Sequence, residues 1–134
     1  MPKWEDEGFD SEEAYNNKVK EWEDKNPGFP GLWDAFWGRE TAKIIMRVWV
    51  DRGGACNDKW LHCYIGCRIA EETNNETAEY AGWYKENRDL TDGNPRTRFD
   101  EADYDATIAC LGQNCVDCCR ERFGSPWIHG CEID

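Results

Sequence analysis

The chain has 134 residues and a formal net charge of −12, from 28 acidic against 16 basic side chains, with eight Trp and eight Cys. That length holds one domain with one core. The acidic balance, without any run of Lys and Arg, argues against nucleic acid or an anionic membrane as partner, because phosphate contact needs a basic patch.

Residues 1–25 carry Glu5, Asp6, Glu7, Asp10, Glu12 and Glu13, followed by Tyr15, Val19 and Trp22 at helical spacing. They read equally as an acidic arm or as a helix from an N-cap at Ser11 to Asp24, closed by Asn26-Pro27-Gly28. Two Pro and two Gly make residues 26–31 a turn. Leu32 to Asp51 reads as a strong helix with Trp33, Phe36, Trp37, Ile44, Met46, Val48 and Trp49 over a broad apolar face. Gly53-Gly54 breaks it, and Asn57 or Asp58 caps the next helix.

That next helix, Asp58 to Ala70, is the centre of the predicted fold. Trp60, Cys63, Tyr64 and Cys67 recur at i, i+3, i+4 and i+7, one stripe that must be buried. Leu61, Ile65 and Ile69 widen the apolar surface to a second side, as expected of a helix with several neighbours. His62 falls on neither, and Gly66 one turn on is expected to leave it open space. A further helix runs from Glu76 to Leu90 with Tyr80, Trp83 and Tyr84 on its apolar face, then a turn-rich loop from Thr91 to Pro95. Asp100 opens a helix that Gly112 stops, and Cys115 to Phe123 is a short last one. The class is all-α: a single domain, 1–134, built as a small bundle of four or five helices and stabilised by disulfides.

Cys63 and Cys67 lie one turn apart on one helix, and Cys115 and Cys119 one turn apart on another. Facing antiparallel helices would join Cys63 to Cys119 and Cys67 to Cys115. Cys56, Cys110, Cys118 and Cys131 remain, with their pairing open. The alternative cofactor is zinc, held by Cys115, Cys118, His129 and Cys131 in a Cys3His set. So much cysteine also points to an oxidising compartment. No leader is legible and no apolar run is long enough to span a membrane, so the expectation is secretion, either as part of a larger exported polypeptide or without a cleaved signal.

Two catalytic readings are available. In one, Cys56 at a helix start and His129 form a Cys-His hydrolase pair. In the other, His62, Glu86 and Asp103, each from a different helix, form an acid-base site. The bland alternative to the second is a set of polar contacts that satisfy a buried imidazole.

The order Asp58-Lys59-Trp60, His62-Cys63, Cys67, Gly82, Lys85-Glu86, Asp103, Asp105-Ala106, Cys115 and Cys118-Cys119 resembles a group of bacterial domains at the C-terminal ends of RHS-repeat and related polymorphic-toxin proteins. The resemblance covers Asp58 to Cys119 and implies a secreted effector in interbacterial competition, with an immunity protein as partner. A shorter similarity, in Asp58-Lys59-x-x-His62 and Ala102-Asp103-x-x-Ala106, is to the helical serum amyloid A proteins. Beside the effector stands a non-enzymatic alternative, a binding module with an acidic, tryptophan-rich surface.

Overall fold

The computed structural model describes residues 3–5, 7–51, 57–92 and 99–126. After a short 3-10 turn at Lys3–Glu5, six α-helices follow: α1 Glu12–Asp24, α2 Leu32–Asp51, α3 Asp58–Glu72, α4 Asn75–Thr91, α5 Glu101–Ile108 and α6 Cys115–Phe123. No strand occurs among the described residues, and the protein is all-α. The segment that reads equally as arm or helix is α1. Side-chain N-caps start five of the six: Ser11, Asn57, Asn74, Asp100 and Asn114 each accept from a backbone N–H two or three residues on.

α3 is the hub, packed against α2, α4, α5 and α6. Its stripe of Trp60, Cys63 and Cys67 is buried in a first core with Cys110, Cys115, Cys118 and Cys119. Its contact with α5 is a close one. A Cβ on Gly66 would stand 2.0 Å from the Thr107 carbonyl oxygen, and one on Gly82 of α4 would stand 3.0 Å from the Thr107 side chain. Thr107 therefore fills a notch between two glycines, and its hydroxyl donates to the Asp103 carbonyl at 2.8 Å. Gly66 is not open space beside His62, as the sequence suggests; backbone from α5 already occupies it.

A second core joins α1 to α4. Trp22 and Leu90 are fully buried with Trp83, ringed by Phe9, Tyr15, Tyr80, Phe99 and Tyr104. The two indoles are tied reciprocally: Trp22 Nε1 donates to the Trp83 carbonyl at 3.1 Å, and Trp83 Nε1 to the Trp22 carbonyl at 2.7 Å. Burying an indole N–H without such a partner would cost free energy comparable to a lost hydrogen bond. Lys18 and Lys25 add ion pairs from α1 to Glu101 at the start of α5.

Among the described residues, three disulfides lock the first core. Cys63 pairs with Cys119 (Cα–Cα 5.8 Å) and Cys67 with Cys115 (5.6 Å), the antiparallel arrangement of α3 and α6. The third, Cys110–Cys118 (5.9 Å), ties the end of the α5 region to α6. α5 stops at Ile108, short of Gly112, because the backbone tightens into i→i+3 bonds, Ala109 N to Ala106 O and Gln113 N to Cys110 O. With Cys115 and Cys118 each in a disulfide, the expected alternative of zinc on Cys115, Cys118, His129 and Cys131 loses two thiolate donors and does not fit the oxidised core. His129, Cys131 and Cys56 lie outside the described residues, and with them the Cys56–His129 pair.

Candidate functional site

Charged side chains from three helices meet where α3, α4 and α5 adjoin. α3 supplies Asp58, Lys59 and His62, spaced so that residues i and i+4 share a side of the helix. α4 supplies Lys85, Glu86 and Asp89. The α5 cap and first turn supply Asp100 and Asp103. His62 Nε2 lies 3.4 Å from Asp103 Oδ2 and 3.5 Å from Asp58 Oδ1. Lys59 Nζ hydrogen-bonds Asp103, and also Asp100 at 2.9 Å. Asp100 N donates to Glu86 Oε1 at 2.9 Å, and Lys85 Nζ bridges Glu86 and Asp89. The three residues expected to form an acid-base site, His62, Glu86 and Asp103, thus belong to one network, with Lys59 and Asp100 as the links.

Glu86 and Asp89 are almost wholly buried, although both belong to the polar pattern of their helix. Burial raises the pKa of Glu86 against the opposing effect of the Asp100 N–H and Lys85. It likewise raises that of Asp103, against the hydrogen bond from Lys59 and the attraction of His62 in its protonated form. Burial lowers the His62 pKa below its usual value, against the attraction of Asp103 and Asp58, so the imidazole is neutral at neutral pH. Burial would lower that of Lys59 too, but its hydrogen bonds to Asp103 and Asp100 outweigh this and hold it well above the ordinary lysine range. Ligand atoms of Asp58, His62 and Asp103 lie within 4.8 Å of one another, the minimum donor set for a divalent ion. The chain brings its own cation to that place: the Lys59 ammonium bonds Asp103 and stands 3.6 Å from Asp58.

Two grooves flank α2, and neither is lined by His62, Glu86 or Asp103. One, of about 620 Å³, runs between α2, α3 and α6, with Trp37, Ile44, Val48, Trp60, Tyr64 and Val116 in its walls. The other, of about 610 Å³, runs between α2 and α4. α2 itself buries little beyond Gly38 and Ile45. Leu32 is 84% exposed, Trp33 72% and Ile44 60%, with Phe36, Trp37, Met46 and Val48 also exposed. The broad apolar face legible in the sequence is an outer surface over most of its length. The signal for this is weak but present: apolar residues at nearly every angle of α2 exceed what a two-sided contact buries.

Fold and site together define a disulfide-locked helical module with a charge-satisfied interior and an apolar exterior helix. No family model, no curated protein and no solved structure matches the chain. No described helix is long and apolar enough to cross a membrane.

Proposed function

We propose that the protein is a non-enzymatic binding module of an oxidising compartment, and that α2 is its contact surface for a partner protein of net positive charge. The exposed apolar row on α2 carries this reading. Contiguous apolar surface of this kind marks interaction sites, and Trp is enriched where binding energy concentrates. Charge selects the partner. A second copy brings another −12, which opposes self-association, whereas a basic protein gains from the same field. Three disulfides support an oxidising location.

The network around His62 fits the bland reading better than the catalytic one. Its carboxylates are paired with Lys59 and Lys85 inside the molecule, and neither groove is lined by His62, Glu86 or Asp103, the α2–α4 groove meeting the network only at Lys85. The same residues bear on the effector reading. Of the positions that carry the resemblance to polymorphic-toxin domains, His62, Gly82, Lys85, Glu86 and Asp103 build the network and the α3–α4–α5 contact, and the cysteines build the disulfides. A shared pattern of this sort supports a shared scaffold. Under an effector reading, the part that meets a target or an immunity protein is then α2, which lies outside the resemblance.

The test is pull-down and growth. Expression in the bacterial cytoplasm and periplasm gives the growth readout. The Trp33→Ser/Ile44→Ser protein, used as bait beside the unaltered one, is expected to lose the partner while keeping its helicity. A folded double variant that retains full binding would move the contact off α2. Loss of a growth phenotype in a folded His62→Ala variant with binding intact would favour catalysis.

A further inference from the structure

The α2–α4 groove differs from the rest of this acidic molecule. Its floor is made of small residues, among them Ala35, Gly38 and Ala42 of α2 and Ala81 of α4, and its rim carries Phe29, Tyr80 and Tyr84. Phe29 and Tyr80 meet edge to face at 5.5 Å, and Phe29 is held there by a loop whose Gly28 and Gly31 have φ of +97° and +105°. These are conformations glycine adopts without strain. Every ionisable acid or base that lines the groove, the two tyrosines apart, is a cation: Arg39, Lys85 and Arg88. In a chain of net charge −12 that is a local reversal of sign. Lys85 is already engaged with Glu86 and Asp89, and Arg88 meets Asp89 through Nε at 3.9 Å with its side chain 58% exposed, so the available positive charge is that of Arg39 and of the outer nitrogens of Arg88.

An apolar trough with arginines at its edge matches one kind of small molecule, with a chain to lie on the floor and an anionic head for a guanidinium. Its volume of about 610 Å³ falls in the range of small-molecule sites, roughly 300–1,000 Å³. Arginine binds a carboxylate through two parallel N–H donors, a geometry that an alcohol cannot match. We infer that the α2–α4 groove is a binding site for a single-chain carboxylate amphiphile. This does not rest on the partner-binding role of α2, because it uses the opposite flank of that helix and different residues.

The probe is dodecanoate, titrated calorimetrically below its micelle concentration into the whole, disulfide-intact protein. Dodecanol and dodecyltrimethylammonium serve as neutral and cationic controls. Saturable one-to-one binding of dodecanoate is expected, with dodecanol roughly tenfold weaker, as the loss of a charge-assisted hydrogen bond implies, and the cation weaker still. Arg39→Glu/Arg88→Glu, which alters exposed residues only, should abolish the preference for the anion. Ala42→Trp should block binding by filling the floor. An unchanged circular dichroism spectrum certifies each variant. Equal affinity for dodecanoate and dodecanol, no binding at all, or binding that survives Ala42→Trp but is lost in Ile44→Ser on the other groove would each overturn the assignment.

Discussion

A buried side chain is costly or cheap according to what stands opposite it, and Gly66 and His62 are the two residues where this is most exposed to test. Adding a methyl group at Gly66 drives it into the Thr107 carbonyl, which is backbone and cannot rotate away. Gly66→Ala is expected to destabilise by about 1–3 kcal/mol, the usual range for overpacking, and toward its upper end. Gly82→Ala meets only side chains, those of Thr107 and Tyr104, and should cost less; urea unfolding of both variants checks the order. For His62 the sign follows from its depressed pKa. Between the folded value and the ordinary 6.5, the unfolded chain holds a proton that the folded chain does not, so stability falls as pH drops through that window. The groups facing the ring are Asp58 and Lys59 on α3, Lys85 on α4 and Asp103 on α5. Asp103 and Glu86, raised by burial, act in the opposite sense when they take up protons. The comparison with His62→Gln isolates the imidazole: the variant should lose less stability than the parent between pH 7.5 and 5.5, and equal losses would show that the ring does not titrate there. Neither residue's environment was legible in the sequence. Spacing placed His62 away from the cysteine stripe, but it carries no information on which backbone crosses Gly66, or on Glu86 and Asp89 being polar yet buried.

At the scale of the helices, the sequence was most informative where side chains repeat with a period and a cap marks the start. Ser11, Asn57 and Asp100 cap the helices they were expected to open, and Trp60, Cys63 and Cys67 of the α3 stripe are buried with Tyr64 packed half-buried beside them. Periodicity fails for α2 because it says which residues are apolar, not whether a neighbour covers them. A 20-residue helix packed mainly on α3 and α4 leaves much of its circumference outside. The same limit explains why α1 stayed undecided: its partner Trp83 lies 61 residues away, a distance over which local pattern is silent. The two helices therefore give opposite expectations for the same residue type. Trp22→Ala in α1 removes a fully buried indole and both halves of the reciprocal bond are disturbed, at about 3–5 kcal/mol. Trp33→Ser in α2 removes an exposed one and should change stability by about 0.5 kcal/mol or less. Urea midpoints of the two variants decide this, and similar losses would mean that α2 is covered in solution.

The two long bridges that hold the molecule as a whole are nested rather than independent. Cys63–Cys119 closes a span of 56 residues, and Cys67–Cys115 a span of 48 inside it. The twin one-turn spacing made this pairing visible in the sequence, whereas Cys110–Cys118 needed the early end of α5 and was not. Either long bridge alone restricts the unfolded chain by about 4 kcal/mol on the loop-entropy relation. Once one is in place, the second closes only a small ring, one helical turn on each side, and adds about 2–3 kcal/mol. Removing one pair, as Cys67→Ala/Cys115→Ala or as Cys63→Ala/Cys119→Ala, should therefore cost about 2–3 kcal/mol from this source. Removing both should cost about 6–7 kcal/mol, more than the two single-pair losses combined. Cavities left by the alanines add to every variant and do not create that excess. Urea unfolding of the two double variants and the quadruple variant measures it, with non-reduced peptide mapping to confirm that the remaining cysteines keep their partners. Strict additivity of the two losses would mean that the bridges act on separate parts of the unfolded chain, and that α3 and α6 are not clamped as one unit.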